Sequence, residues 1–331
     1  MKSLVITTIN RPTLALQKYQ DILLDQGWKI IVVGDKKTPT DFQLPGAEYL
    51  SIDRQNELFG DLSSLIPLNH YSRKSLGYLY AMSQGSEIIA ESDDDNIPYP
   101  ENYPNFLPSQ IKTSLLEDRG SVNVYSYFTN KKIWPRGLPL DTINKLVNTN
   151  LINEQNVTCY IQQGLADLDP DVDAIYRLTV ASENVIFERN KALALGDGCY
   201  SPFNTQNTLF YRKAFPLMLL PIDVHSRVTD IWRGYIAQKL LWCMGANLLF
   251  LSPSVYQIRN EHNLVKDLTE EVPLYTQVHE LIYLLEEFKK STTNSCDLML
   301  EMYDHLHQMK FFSQKEMWLC THWIDEVKKY V

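Results

Sequence analysis

Three consecutive carboxylates stand in the stretch Glu91-Ser92-Asp93-Asp94-Asp95-Asn96, directly after the short apolar run Glu87-Ile88-Ile89-Ala90. Side chains alternate along an extended strand end, so we expect Asp93 and Asp95 to face the same way and to hold a hard divalent cation through oxygen. Such a cation can neutralise a diphosphate. A solvated acidic turn is the alternative interpretation of the same residues. The stretch therefore predicts a nucleotide-sugar site, whose nucleotide pocket and acceptor groups must come from the rest of the chain.

The sequence around this stretch alternates short β-rich runs with helical spacing. We predict strands at 4–8, 29–33 and 87–90 and helices at 13–26 and 72–84, with a short helical turn at 55–59. This alternation is typical of βαβ units and a parallel sheet. Because ligands bind beyond the carboxyl ends of strands in open α/β sheets, the polar groups after these strands predict one shared site.

The second half of the chain is less regular. We predict strands at 122–125, 209–211 and 247–251, a helix at 229–244, and three C-terminal helices at 270–290, 296–308 and 313–330. The pattern predicts a catalytic domain over 1–268 and a helical extension over 269–331. Amphipathic helices of this kind can provide a homo-oligomer or docking surface.

Composition narrows the function classes. The chain has 331 residues, and 44% of them are hydrophobic. Its net charge of -9 argues against nucleic acid or an anionic membrane as the main partner. Five widely spaced cysteines fit reduced thiols better than a disulfide framework. No apolar run approaches the roughly 20 residues of a membrane span, and no signal peptide is visible. We therefore expect a cytoplasmic location.

Several charged residues near the predicted strand ends are candidates for the nucleotide pocket. Arg11, Arg73 and Lys74 lie near the proposed phosphate face, the last two in the first helical turn, where the macrodipole disfavours cations unless an anion is bound. Solvated surface charge is the alternative. Asp35 can accept from a ribose or base hydroxyl, or cap a turn.

Two further segments carry sugar-binding chemistry. Asp169, Asp171 and Asp173 imitate a calcium loop, but Ala174 stands where glycine is required, so the carboxylates bind sugar hydroxyls or lie in an exposed loop. The amides and hydroxyls of 203–208, including Asn207, suit a polyhydroxylated ring or a capped turn.

Two residues are candidates for acceptor chemistry and for the metal shell. Asp230 opens a helix and is either a cap or the base that takes the proton from an attacking hydroxyl. His262 follows a strand and a loop and could complete the metal shell, although a lone histidine also serves structural roles.

Read together, these segments resemble the STELLO family of glycosyltransferase-like proteins, and more distantly the reversibly glycosylated polypeptides that include UDP-arabinopyranose mutases. The resemblance covers about 3–268. The strings that carry it are VITTIN (5–10), GWKIIVVGDKKTP (27–39), LNHYSRKSLGYLYAMSQG (68–85), ESDDDN (91–96), WPRGLPL (134–140), DVDAIYRL (171–178), SPFNTQNTLFY (201–211), VHSRVTDIWRGYIAQKLLW (224–242) and RNEHN (259–263).

The resemblance implies a GT-A-type nucleotide-diphospho-sugar transferase fold, an α/β class with a mixed, mainly parallel sheet flanked by helices. It implies a DXD motif in which Asp93 and Asp95 bind the diphosphate or a divalent metal, Mn²⁺ or Mg²⁺. His262, from its position in the sequence, is our further candidate for the metal shell. The predicted nucleotide-sugar contacts are Thr8, Arg11, Asp35, Arg73, Lys74, Asp94, Asp173, Asn207 and Arg233. Arg136 matches an arginine of the reversibly glycosylated polypeptides and joins Asp230 as a predicted catalytic residue.

The leading hypothesis is a metal-dependent glycosyltransferase that moves a sugar from a UDP-sugar to an unknown acceptor by an inverting displacement. A UDP-sugar mutase, which needs no acceptor, is the first alternative. The second is a non-catalytic module that binds nucleotide sugar and organises partners through its C-terminal helices.

Overall fold

The computed structural model describes residues 1–180, 184–258 and 263–331. The described strands are β1 (Lys2–Thr8), β2 (Trp28–Gly34), β3 (Ala47–Leu50), β4 (Ile88–Asp93), β5 (Asn96–Pro98), β6 (Gln110–Leu116), β7 (Gly120–Ser121), β8 (Ile152–Thr158), β9 (Ile161–Leu168), β10 (Ala192–Leu195), β11 (Cys199–Tyr200), β12 (Asn207–Tyr211) and β13 (Leu248–Gln257). The described helices are α1 (Leu14–Leu23), α2 (Ile52–Leu65), α3 (Lys74–Ser83), α4 (Tyr125–Phe128), α5 (Ala174–Thr179), α6 (Ser226–Cys243), α7 (Leu264–Glu270), α8 (Val272–Thr276), α9 (Val278–Glu287), α10 (Ser295–Gln308) and α11 (Gln314–Val327). Short 3-10 turns cover Tyr71–Arg73, Leu140–Thr142, Thr149–Leu151 and Arg212–Met218.

One mixed sheet dominates the fold. Its strand order is β3-β2-β1-β4-β12-β9-β13-β10-β6-β8, and β5 pairs with β13. Strands β3, β2, β1 and β4 are parallel neighbours, whereas β12 runs antiparallel to β4. A mixed sheet flanked by helices confirms the predicted α/β class.

The register of the sheet positions the predicted site. Thr8 lies opposite Gly34, and Thr7 lies opposite Asp93, so the carboxyl ends of β1, β2 and β4 meet at one edge. Asn207, the first residue of β12, pairs with Ser92. Since β12 is antiparallel to β4, the polar loop before it also reaches this edge.

The two faces of the sheet bury alternate residues of β1. Leu4 and Ile6 pack with Tyr19 of α1, whereas Val5 packs on the other face with Leu76 and Leu79 of α3. This follows from the period of two along a strand. Both layers of helices are therefore fixed by the apolar pattern of the central strands.

The C-terminal helices join the layer that contains α3 and α6. Leu306, Leu319 and Trp323 are fully buried in the same apolar core, and the Trp323 indole donates to the Pro216 carbonyl at 2.9 Å. The core thus continues past residue 268. The domain boundary proposed there, and the homo-oligomer contact of these helices, stay predictions.

Three predictions of elements need correction. Residues 122–125 are not a strand, because Asn123 turns the chain there and donates to the carbonyls of Ile133 and Ile143. The helix predicted at 270–290 is divided into α8 and α9. Strand β9 was missed because Gln162 and Gln163 break its apolar run, yet both are buried in the sheet centre.

Candidate active site

A groove crosses the edge where β1, β4 and α6 meet. Its larger cavity, of about 330 Å³, is lined by Thr7, Tyr71, Asp93, Asp94, Asp95, Arg136, Asp171, Asn204, Thr205, Gln206, Ser226, Arg227, Asp230 and Gln257. A second cavity of about 260 Å³ continues from it over β1 and β2 and shares Thr7, Tyr71, Asp94 and Ser226 with the first. Together they have the size of a small-molecule site. Asp94, which follows β4, lies where the two cavities join.

Asp93, the last residue of β4, is held from below by α3. Lys74 is fully buried and donates from Nζ to the Asp93 carboxylate at 3.1 Å, to the Ser92 carbonyl at 2.6 Å and to the Tyr71 hydroxyl at 2.6 Å. The Tyr71 hydroxyl in turn donates to Asp93. Burial raises the pKa of Asp93, although Lys74 and Tyr71 act in the opposite direction. Lys74 was predicted to contact the nucleotide, but the structure places it beneath Asp93, outside both cavities.

Asp94 and Asp95 form a turn between β4 and β5, so their geometry is not the continued strand that was expected. Asp94 faces β1 and accepts from Thr8 Oγ1 at 2.5 Å and Asn10 Nδ2 at 3.0 Å. Asp95 nevertheless lines the same cavity as Asp93 and accepts from Gln257 at 2.7 Å. Burial and the charge of Asp93 raise the pKa of Asp95 to about 7.

The opposite wall of the groove contains an arginine between two carboxylates. Arg136 donates to Asp171 from Nε at 2.7 Å and Nη2 at 2.9 Å, and to Asp230 from Nη2 at 2.9 Å and Nη1 at 3.2 Å. Burial raises the pKa of Asp230 despite the neighbouring guanidinium. The pKa of Asp171 is lowered, because Arg136 outweighs the effect of burial there. One arginine therefore pairs with both carboxylates of this wall.

Gly137 allows this wall to form. It has φ +85°, a conformation that favours glycine, and a Cβ there would lie 2.4 Å from Ile231 Cγ2. The chain after Arg136 consequently packs directly on α6, which brings the guanidinium within reach of Asp230. The Arg136 N–H also donates to the Asp171 carbonyl at 3.1 Å.

The second cavity contains several of the predicted nucleotide residues. Thr8, Asp35 and Arg73 line it. Asp35 accepts from the backbone N–H groups of Asn69, at 2.9 Å, and His70, at 3.2 Å, and so ties the loop before α3 to the end of β2. Arg73, predicted to lie near the phosphate face, lines this cavity, but its guanidinium N–H groups donate inward to other parts of the protein.

Arg73 is almost fully buried. It donates to Gln55 Oε1 at 2.7 Å from Nε, to the carbonyls of Ser63 and Ile66 at 3.1 Å each, and to Ser63 Oγ at 2.9 Å. Its contacts stabilise the end of α2 under the second cavity.

Other predicted contacts lie away from the groove wall. Asn207 is buried in the sheet, where it donates to Ser254 Oγ at 3.0 Å. Asp173 caps α5 and accepts from the Trp134 indole at 2.7 Å, and Arg233 forms a buried pair with Glu91 at 2.7 Å. These three are corrected to positions beneath the groove. Arg11 is an exposed partner of Asp41 outside both cavities, and His262 lies outside the described residues.

Comparison with known proteins identifies the relatives of this chain. The family model described as STELLO glycosyltransferases matches residues 227–331. Over 344 aligned residues, the chain is 27% identical to "Probable glycosyltransferase STELLO2" and "Probable glycosyltransferase STELLO1" of Arabidopsis thaliana. These matches show that the chain is similar to STELLO glycosyltransferases. The alignments include 98% of this chain but 44% of each relative, so the chain spans less than half the length of the curated relatives it matches.

The structure comparison matched this chain to a solved structure with low sequence identity and a low TM-score. It is glucosyl-3-phosphoglycerate synthase from Mycobacterium tuberculosis, at a TM-score of 0.42 and 12% identity, over 88% of this chain and 81% of that one. The more distant resemblance to reversibly glycosylated polypeptides stays a prediction.

Across the part of the chain that the structure describes, no helix combines the length and apolar character needed to cross a bilayer.

Sequence reasoning missed Tyr71, Arg227 and Gln257 as residues of the groove, whereas Thr205 lies in the polar stretch 203–208 that it predicted. The hydroxyls of Tyr71 and Thr205 form a hydrogen bond of 2.6 Å beside Asp93. The Gln257 amide donates to Asp95. Arg227, one turn before Asp230, also lines the cavity. Tyr71 stands one residue before the helix predicted at 72–84, and that position was the available signal. Gln257 ends the observed β13 but lies beyond the strand predicted at 247–251, so it had no such signal.

Proposed function

We propose that this chain is a metal-dependent glycosyltransferase that uses a UDP-sugar donor. The observation that carries the proposal is the groove itself, in which Asp93, at the end of β4, and Asp95, in the turn after it, line one cavity with Arg136, Asp171 and Asp230. The family relatives support the same activity. In this arrangement Asp93 and Asp95 would interact with the diphosphate, and the cluster of Arg136, Asp171 and Asp230 would interact with the acceptor.

The nucleotide is assigned to the second cavity. Ile9 and Val33 offer apolar surface for a base, while Thr8 and Asp35 offer polar atoms for ribose. This cavity opens on Asp94 and Tyr71, which also line the larger one. A diphosphate that extends from the second cavity into the larger one would therefore pass close to Asp93, Asp94 and Asp95.

Asp93 and Asp95 are the residues that would hold a divalent cation. They face one cavity, and the charge of Asp93 raises the pKa of Asp95, which is the like-charge repulsion that a bound cation relieves. Within residues 1–180, 184–258 and 263–331, no three His, Cys, Asp or Glu side chains form a ready metal shell. Two carboxylates plus diphosphate oxygens fit a hard ion that keeps part of its shell for substrate. When bound, such an ion supplies positive charge to the departing UDP.

Asp230 is assigned the acceptor proton. In an inverting displacement, an acceptor hydroxyl oxygen bonds to the anomeric carbon while the bond from that carbon to the UDP oxygen breaks, and UDP keeps the electron pair. The hydroxyl proton passes to Asp230, whose raised pKa suits a base. Arg136 holds that carboxylate in place, and Asp171 balances the guanidinium.

Calorimetric titration with UDP and Mn²⁺ tests the donor side. We expect UDP to bind the native chain and to bind at least roughly tenfold more weakly to Asp93→Asn/Asp95→Asn, because the cation loses two charged ligands. Asp297→Asn, in an exposed pair with Lys328, is the matched control and should bind normally. Absence of UDP binding to the native chain would overturn the proposal.

Product analysis with a panel of UDP-sugars then separates the reaction classes. Sugar transfer to an added acceptor or to water supports the transferase. Isomerisation of the donor ring without transfer would show a mutase instead. UDP-sugar binding with no product from any donor would show a binding module.

A further inference from the structure

The start of α6 is held by two buried carboxylates that belong to the C-terminal helices. We call residues 221–230 the α6 entry segment; it carries Ser226, Arg227 and Asp230 into the groove. Glu271, between α7 and α8, and Glu316, on α11, are both fully buried. Neither lines either cavity of the groove. Their contacts with the α6 entry segment give these remote residues a route to the site.

Glu271 holds the side chain of Arg227. Its Oε1 accepts from Arg227 Nε at 2.9 Å and also from Nη2. Its Oε2 accepts from the Ala174 N–H at 2.7 Å and the Tyr275 hydroxyl at 2.5 Å. The carbonyl of Arg227 in turn accepts from Arg136. Glu271 therefore connects α5, α6 and the arginine that holds Asp230.

Glu316 holds the backbone at the beginning of the segment. Its Oε2 accepts from the N–H groups of Ile222 at 2.7 Å and Asp223 at 2.9 Å. Ser313 reinforces this contact, because its N–H and hydroxyl donate to the Asp223 carboxylate at 2.6 and 2.7 Å. A buried carboxylate that accepts two backbone N–H groups fixes the position of that backbone.

The segment also touches the donor side of the groove. His70 Nε2 lies 2.9 Å from the Val224 carbonyl, and the Tyr71 N–H donates to Ser226 Oγ at 3.1 Å. The same Tyr71 contacts Asp93 through its hydroxyl. A shift of residues 221–226 would therefore change the separation between the two walls of the groove.

We propose that Glu271 and Glu316 are positioning residues that hold the α6 entry segment in place from the C-terminal helices. They would thereby fix the position of the acceptor wall, the side of the groove formed by Arg136, Asp171 and Asp230. The catalytic consequence rests on the proposed function, whereas the clamping itself does not. Neither glutamate lines the assigned nucleotide cavity, and Ser226 is the one residue of the α6 entry segment that does, so turnover should fall more than donor binding in their variants.

The test uses the full chain with Glu271→Gln, Glu316→Ala, Glu316→Gln and the control Asp297→Asn. Hydrogen exchange of peptides covering 221–230 reports the clamp directly, calorimetry with UDP and Mn²⁺ reports the donor side, and UDP release from a panel of UDP-sugars reports turnover. In Glu271→Gln and Glu316→Ala, we expect exchange to rise by about tenfold or more, because local opening becomes easier. Turnover should fall at least roughly tenfold, because small misplacements of reacting groups are costly, and it should fall by a larger factor than the affinity for UDP.

Glu316→Gln separates positioning from a loss of core packing. Its amide oxygen can still accept from Ile222 and Asp223, so exchange and turnover should return close to the native values. Unchanged exchange in Glu271→Gln would overturn the proposal. So would an equal loss of UDP binding and turnover in folded protein. If the native chain releases no UDP from any donor, the proposed function fails separately, and the exchange result alone decides whether the clamp exists.

Discussion

The carboxylate of Asp230 shares the guanidinium of Arg136, with Oδ2 2.9 Å from Nη2 and Oδ1 3.2 Å from Nη1. Asp171 occupies the remaining side of that guanidinium. The pairing holds the proposed base against the groove wall and separates two acidic residues that would otherwise repel each other. The charge balance of this wall therefore depends on one arginine.

Arg136→Met should destabilise the protein by about 3 to 5 kcal/mol at pH 8, because two buried carboxylates lose their common partner. The loss should be smaller at pH 5, since the raised pKa of Asp230 allows that carboxyl to protonate and so removes one unpaired charge. Thermal unfolding at both pH values measures the difference. Arg54→Met, which removes an exposed pair with Glu57, is the control and should have little effect at either pH. An equal loss for Arg136→Met at pH 5 and pH 8 would contradict this assignment.

Tyr71→Phe should weaken binding of UDP in the presence of Mn²⁺ by about tenfold, since a hydrogen bond to a charged group contributes roughly 1.5 to 3 kcal/mol. The lost hydroxyl links Asp93, Lys74 and Thr205, so the carboxylate would lose its fixed orientation. Titration calorimetry measures the change. Tyr283→Phe, at an exposed position on α9, should bind normally. Native affinity in Tyr71→Phe would remove this tyrosine from the donor site.

The buried pair of Glu91 and Arg233 lies under both walls of the groove. Glu91→Gln or Arg233→Met alone should each cost about 3 to 5 kcal/mol, because each leaves an uncompensated charge in the core. The double variant should lose much less than the sum of the two. Urea unfolding of the four proteins gives the coupling energy, and additivity within about 0.5 kcal/mol would show that the two charges are not coupled.

Glu316 gives the stability of the protein a pH dependence. Burial raises the pKa of its carboxyl from 4.5 to about 8, so the folded chain holds this proton more tightly than the unfolded chain. The resulting stabilisation is complete below the unfolded pKa and is lost as the pH rises through the folded pKa. The Tm of Glu316→Gln relative to native protein should therefore increase from pH 5 to pH 9. A Tm difference that stays constant over this range would show that Glu316 does not titrate there.

The sequence was sufficient to predict that Thr8, Asp35 and Asp93 lie at one edge of the sheet, because they come at the ends of strands with strong apolar patterns. Thr8 and Asp93 end their strands and Asp35 follows β2, and the parallel register brings them together. The acceptor wall was harder to predict. Arg136, Asp171 and Asp230 lie in three distant segments, and no local pattern shows that one guanidinium joins both carboxylates.

The direction of a charged side chain was the second source of error. Arg73 was predicted to lie near phosphate and Arg233 to contact the nucleotide sugar, but both side chains donate to buried acceptors. These are Gln55 and two carbonyls for Arg73, and Glu91 for Arg233. Burying a guanidinium is favourable only when such partners are present. Those partners come from other elements, so the tertiary structure decides the outcome.

A crystal structure of the chain with UDP and Mn²⁺, with anomalous scattering recorded at the manganese edge, tests the donor site most directly. We expect an anomalous peak within roughly 2 to 2.5 Å of carboxylate oxygens of both Asp93 and Asp95, with the diphosphate on the same ion and the nucleotide over Thr8 and Asp35. A nucleotide bound elsewhere, or UDP in the groove with no manganese between the two aspartates, would contradict the proposed metal-dependent transferase.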